Sequence, residues 1–376
     1  MSEFKHWASV WGNAISIAEN RPEGYNKNLT MRYPIYTQFG GSAVRLTFDN
    51  YCGTEPVTLT KTTALIDGVF YPVTFGGKRE VTMAAGGNVV SDELECDIQP
   101  QSLITISFYF EDFTLLRSAV YTSGPLTEGY YAIGDLTEAE QLPKDNSRGI
   151  SIIYFLSNIS VLTSAENRTV VCYGDSITAQ DWPEYLTLRC NREEKLNTAV
   201  IRRAASGTRM LREYSCITYE SYGLMGSKRF DHEVPTDGAD TVIIQHGIND
   251  IIHPVGTMVN PFRPMSDMPT IEELIDCMKF YIKKSRDYGY KVYVGTLLPI
   301  EGWRTYAPFR EEIRRAFNDW IRATSLIDGC IDFDAALRDP ERPTRFLTEY
   351  DSGDHLHPSK AGYKRMADIV PSEILK

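Results

Sequence analysis

The 376-residue chain has no stretch approaching the roughly 18 consecutive apolar residues that a membrane-spanning helix needs. Its opening residues, MSEFKHWASVWGN, lack the charged-then-apolar layout of a secretory signal, so a cytoplasmic protein without a membrane span is expected. Closely spaced cysteines are missing too. The seven present (Cys52, Cys96, Cys172, Cys190, Cys216, Cys277 and Cys330) are odd in number and never closer than 18 positions. That excludes a paired disulfide framework and any C-x-x-C metal or redox motif, and buried free thiols are expected instead. Positive charge is also short, with 39 Lys and Arg against 50 Asp and Glu for a net charge of −11. A protein that tracks phosphate backbones needs a basic face, so nucleic acid and anionic membrane are excluded as first partners. No H-E-x-x-H or comparable ligand spacing joins His246, His253, His355 and His357, and neither a metal nor a cofactor is expected. Repeats and low-complexity linkers are absent, and 42% hydrophobic with 24% charged residues is ordinary globular composition.

The length suits two domains or one large α/β domain, and the hydrophobic pattern favours two. In Ala43–Asn50 the apolar Val44, Leu46 and Phe48 alternate with Arg45, Thr47 and Asp49; Leu103–Phe110 alternates in the same way. Period two with one polar face predicts half-buried antiparallel strands. Further strands are predicted near Met31–Phe39, Val57–Ile66, Val69–Phe75 and Ile150–Leu156, punctuated by Gly- and Asn-rich turns. Residues 1–165 therefore read as an all-β sandwich or jelly-roll domain.

From about Glu166 the pattern changes to short continuous apolar runs alternating with amphipathic helices. The runs are Val170–Tyr173, Ala199–Ile201, Thr241–Ile244, Val292–Leu298 and Cys330–Phe333, short enough for strands buried on both faces of a parallel sheet. A helix is predicted over Ile271–Tyr288, opened by a Thr270/Glu273 capping box and stopped by Gly289. A second, near Pro308–Ile321, is expected to bury Phe309, Ile313, Phe317, Trp320 and Ile321. Residues 166–376 thus predict a three-layer α/β/α sandwich with right-handed crossovers, and the boundary falls within 163–169.

Ligands of open α/β sheets bind beyond the carboxyl ends of the strands, so the loops there are where chemistry is expected. Ser176, in Tyr173-Gly174-Asp175-Ser176, sits where a strand gives way to a helix. It is either a nucleophile whose own N–H helps hold developing charge, or a cap for a helix beginning near Thr178. A nucleophilic serine needs a base, and the base needs an orienting acid. Asp354 and His357 can meet within one loop, with His355 competing as the base; a surface turn is the plainer reading of the same residues. Asn249, in His246-Gly247-Ile248-Asn249-Asp250, is either an oxyanion donor or a turn asparagine. Gly207 offers either an unobstructed N–H or an ordinary turn. Asp175 and Asp250 are read as acceptors that shape the loops. Trp182 and Tyr185 either wall a pocket or pack on the sheet, and Arg202, Arg203, Arg209 and Arg212 form a basic cluster expected to be a solvated face.

Gly-Asp-Ser, a lone glycine after the second strand, Gly-x-Asn-Asp and Asp-x-x-His-Pro, in this order and each after a strand, resemble the SGNH hydrolase superfamily, also called GDSL-like esterases. The resemblance covers roughly residues 166–376. It implies an SGNH or flavodoxin-like sheet, Ser176 as nucleophile, His357 as general base and acid, and Asp354 as its partner. The implied oxyanion hole is the N–H groups of Ser176 and Gly207 with the Asn249 amide. The upstream text, with Gly40-Gly41, Phe75-Gly76-Gly77 and Ser91-Asp92, is similar to the β-domain of a bacterial subgroup. That subgroup also carries the counterparts of Ser206-Gly207-Thr208-Arg209, Arg229-Phe230-Asp231 and Gly247–Ile251. Thr208 and His355 depart from its pattern and are expected beside the pocket, where they bear on substrate choice.

The expected function is a serine esterase acting on short acyl esters of carbohydrates or small molecules, through an acyl-enzyme. Lysophospholipase or thioesterase action on longer chains is the alternative within the enzyme class. A glycan-binding protein with a vestigial hydrolase domain is the alternative outside it. Oligomeric state is not legible.

Overall fold

The computed structural model describes residues 6–18 and 24–375. They form two compact units: one of the residues up to Thr169 together with Leu196–Ile201 and Thr236–Gly238, the other of Val170–Lys195, Arg202–Pro235 and the residues from Ala239 onward. No helix among the described residues is long and apolar enough to cross a membrane.

The first unit is built from antiparallel sheets. In the larger, Leu29–Thr37 pairs with Ser102–Phe110, which pairs in turn with Lys61–Ile66. In the other, Gly41–Asp49 lies beside Leu156–Thr163, which pairs on its far side with His6–Gly12. The alternation read from the sequence is the burial pattern observed: Ile104, Ile106, Phe108 and Phe110 are fully buried, as are Val44 and Phe48. Phe48 of one sheet meets Phe108 of the other edge-to-face, with ring centroids 5.2 Å apart and both side chains fully buried.

Two of the expected strands are each broken in two. Val57–Ile66 divides at Thr60 into Val57–Leu59 and Lys61–Ile66, which join different sheets. Ile150–Leu156 divides at Phe155, whose φ of 57° turns the chain from the small sheet of Ile152–Tyr154 into Leu156–Thr163. A hydrophobic pattern records which residues are buried and not which sheet buries them.

A five-stranded sheet runs in the order Thr198–Ala204, Arg168–Gly174, Ala239–Gln245, Lys291–Gly295, Gly329–Ile331. The last three run parallel to one another. Val170, Val171 and Cys172 of the first strand and Val242, Ile243 and Ile244 of the third are fully buried, because both faces of the sheet are covered. Trp182–Arg192 packs with Lys360–Ile369, whereas Ile271–Asp287 packs with Gly226–Glu233 and Pro308–Ala323. Thr270 and Glu273 make the reciprocal capping box, and Gly289, at φ 81°, follows the last turn.

The helix Pro308–Ala323 departs from the apolar face expected of it. Phe309 is 42% exposed, while Arg310, Glu311 and Arg314 are buried beside Phe317 and Ile321. Arg314 is accommodated because Glu311 and Asp334 both accept from it, at 2.6 and 2.8 Å. A buried guanidinium paired this completely is tolerated where an unpaired one is not.

Candidate active site

In the strand order 2-1-3-4-5 the connections leave the first strand in opposite directions, and a crevice opens beyond its carboxyl end. Ser176 stands there. The cap of its short helix, Ser176–Ala179, is Asp175, whose Oδ1 accepts from the Ile177 N–H at 3.1 Å. Capping is therefore the work of Asp175, and the Ser176 hydroxyl is left for another partner. As the first helical residue, Ser176 has no carbonyl one turn earlier within the helix for its own N–H.

That partner is His357. Its Nε2 lies 2.9 Å from Ser176 Oγ, across 181 residues of sequence. Its Nδ1 lies 2.6 Å from Asp354 Oδ2. Burial opposes ionisation of Asp354, but the His357 ring and the backbone N–H groups of His357 and Leu356 outweigh it and hold the carboxyl well below its usual range. An ionised acceptor on Nδ1 leaves Nε2 as the basic nitrogen facing the hydroxyl. His355, the competing candidate, is turned away: its Nδ1 pairs with Asp351 Oδ2 at 2.5 Å and its ring packs over the backbone of Gly302.

Two further loops close on the serine. Asn249 lies in the helix Ile248–Ile252 after the third strand and donates from Nδ2 to the Thr208 carbonyl at 2.9 Å. An amide nitrogen carries two hydrogens, so this bond orients the group and leaves one N–H for the cavity. Gly207 has φ 78°, and a Cβ on it would lie 2.3 Å from the Tyr222 ring. Only glycine fits there, and its N–H meets no acceptor among the described residues.

Asp250 accepts from the N–H groups of Met210 and Leu211 at 2.7 and 3.0 Å, the loop-shaping role expected of it. Burial raises it to about 6, and raises Asp175 to about 7. Arg229 was quoted in the sequence only as part of a motif, and here it acquires a physical role. Fully buried and paired with Glu233, it donates from Nη2 to the Gly174 carbonyl at 2.6 Å and so anchors the turn that presents Ser176.

Ser176, Gly207, Asn249 and His357 line a cavity of about 270 Å3. Its other walls come from residues with no motif to mark them: Tyr222, His253, Trp303 and Arg304, with Gln180 and Leu356 nearby. All lie between residues 176 and 357. Neither Thr208 nor His355 is among the lining residues. Thr208 is buried behind the site, where its hydroxyl lies 3.1 Å from His246 Nε2. Trp182 is likewise no wall; it packs on Phe333 and is fully buried. Nor do the clustered arginines form a solvated face. Arg202, Arg203 and Arg209 are each at most 5% exposed, with Arg202 on Glu184 and Arg209 on Asp267.

The model of the GDSL-like lipase/acylhydrolase family matches residues 172–365, just over half of the chain. No curated protein matches the sequence. Among solved structures, a GDSL-like lipase from Bacteroides thetaiotaomicron is 19% identical, covering 55% of this chain and 87% of its own, with a TM-score of 0.37. A lipase/acylhydrolase from Enterococcus faecalis is 20% identical over 55% of this chain and 95% of that one, with a TM-score of 0.41. An acetylxylan esterase from Geobacillus stearothermophilus, in a catalytic-mutant form, is 18% identical over 54% and 91%, with a TM-score of 0.40.

Proposed function

The chain belongs to the GDSL-like lipase/acylhydrolase family, and from that premise we propose that it is a serine esterase acting on short acyl esters of carbohydrates or small alcohols. The observation that carries the reading is the continuous chain from Ser176 Oγ to His357 Nε2 and from His357 Nδ1 to Asp354 Oδ2, at 2.9 and 2.6 Å. His357 removes the hydroxyl proton as Ser176 attacks the ester carbonyl. The N–H groups of Ser176 and Gly207 and the Asn249 amide hold the oxyanion, His357 returns the proton to the leaving alcohol, and water then hydrolyses the acyl-enzyme. A cavity of about 270 Å3 supports a short acyl group, since pockets for drug-sized ligands begin at roughly 300 Å3.

The test is hydrolysis of p-nitrophenyl esters of increasing chain length, beside acetylated xylo-oligosaccharides, by the protein and by Ser176→Ala. Ser176-dependent release that falls steeply beyond acetyl is expected; equal turnover by both proteins would remove Ser176 from the mechanism. One observation favours the longer-chain reading. Met258, Val259, Phe262 and Met265 are between 43% and 98% exposed in the segment that follows His253. A rate that rises with chain length would transfer preference to a lysophospholipase or thioesterase.

A further inference from the structure

Among the residues lining the cavity are Arg304, Trp303 and His253, which carry polar groups without partners among the described residues. Arg304 lines it with its guanidinium 4.6 Å over the Trp303 ring, and no carboxylate pairs with it among the described residues. The carboxylate nearest in sequence, Glu301, is already taken by Arg342, Arg345 and Thr344. Behind Tyr222 lies a second guanidinium without a carboxylate. Arg263, 8% exposed, sits 4.4 Å over Tyr219 and donates to the Tyr222 hydroxyl at 3.3 Å. Its Nε has no partner, nor do Trp303 Nε1 and His253 Nδ1. His253 is 7% exposed and stacked on Tyr222; burial first, then Arg263, Arg209 and Arg304, push it well below its ordinary range, so it stays neutral. No Asp or Glu is among the residues lining the cavity.

A solvent-reachable guanidinium set on the Trp303 ring at the cavity mouth, with the unpartnered indole N–H beside it and no counter-charge, is a site for an anion that the protein itself does not supply. Its position indicates which half of the substrate carries the charge. Gly302, two residues before Arg304, packs against the ring of His355, so this segment lies beside the loop that bears His357. The proton for the leaving alcohol comes from that loop. We propose that Arg304, with Trp303 and His253 beside it, selects esters whose alcohol half carries an anionic oxygen group, a carboxylate or a phosphate. Arg304 is then the specificity residue of the cavity, and the inference rests on Ser176 being the nucleophile only where it concerns turnover.

The experiment compares 4-acetoxybenzoate, 4-acetoxyphenyl phosphate and the neutral methyl 4-acetoxybenzoate in the full chain, in Arg304→Gln and in Arg304→Lys. The expected kcat/KM ratio of anionic to neutral ester is about tenfold or more, the size of one charge-assisted hydrogen bond. It falls towards one in Arg304→Gln, mainly through KM, and returns in part in Arg304→Lys; the better of the two anionic esters identifies the group. Calorimetric binding of 4-acetoxybenzoate to Ser176→Ala, with and without Arg304→Gln, separates selection from catalysis. Binding that depends on Arg304 without turnover by the unmodified protein keeps the anion site and removes the esterase reading. Turnover of all three esters with a ratio near one, or a ratio unchanged in Arg304→Gln, overturns the anion site and leaves the esterase reading standing.

Discussion

Two aspartate–histidine pairs stand side by side in the loop between Asp351 and Pro358, and they are built almost alike. Asp351 accepts the N–H groups of Gly353 and His355 on Oδ1 and holds the His355 ring on Oδ2. Asp354 accepts the N–H groups of Leu356 and His357 on Oδ1 and holds the His357 ring on Oδ2. Residue types, partners and distances match, yet His357 reaches Ser176 and His355 does not. The difference is in the backbone: His355 adopts φ 64° and its side chain is 48% exposed, whereas the side chain of His357 is 23% exposed and Leu356 between them is buried. An Asp–His pair prepares a base, and only its direction relative to a nucleophile gives that base a proton to take.

The strongest way to break this comparison is to remove each ring in turn. His357→Ala should lower kcat for p-nitrophenyl acetate by about 10²–10⁴, the usual contribution of a positioned general base. His355→Ala should stay within about threefold and cost under about 1 kcal/mol of stability, as an exposed pair contributes little. Comparable losses in the two variants, in steady-state assays checked by thermal melts, would mean that both pairs serve the site.

A smaller effect tests the oxyanion role proposed for Asn249. Asn249→Ala should reduce kcat by about 10²–10³, the typical cost of one oxyanion donor, with KM little changed. Full activity in this variant would leave Asn249 with only its bond to Thr208.

The smallest effect separates the carboxylates by environment. Asp354, held low by its hydrogen bonds, contributes stability above about pH 3.8 that is lost as the pH falls below it. Asp175 is the reverse. Burial raises it to about 7 from 3.8, so its contribution is complete below the lower value and is lost as the pH rises towards the higher one. Asp175→Asn keeps an acceptor for the Ile177 N–H and removes the titration. Its unfolding free energy relative to the unmodified protein, read from melts across the range, should therefore rise between about pH 4 and pH 7, by at most about 1.4 kcal/mol per pH unit. A constant difference across that range would show that Asp175 does not titrate there.

Much of the molecule was legible in advance, for reasons that differ by region. The five strands of the sheet were visible because each has a short apolar run at its centre, and Ile271–Asp287 because its cap residues are local chemistry. The strands His6–Gly12 and Leu156–Thr163 have no comparable local signal: Leu156–Thr163 pairs with Gly41–Asp49, more than 100 residues away. Helix Pro308–Ala323 misled because Phe309 suggests an apolar face, whereas the ion pairs of Arg314 determine which side is covered.

The candidate site divides in the same way. Ser176, Gly207, Asn249, Asp354 and His357 could be picked out because each lies in a loop whose few residues are chemically unusual. Tyr222, His253, Trp303 and Arg304 could not, since an aromatic or an arginine in a loop has no periodicity to distinguish it.

By itself the sequence determined the fold class, the order of the loops and the candidate residues for acyl transfer, because burial period, helix caps and residue chemistry are properties of short segments. Which histidine faces the serine and which cation is left without a counter-charge were decided only by the tertiary structure. Those outcomes depend on distances between segments as much as 181 residues apart, and such distances are set by packing rather than by neighbours along the chain.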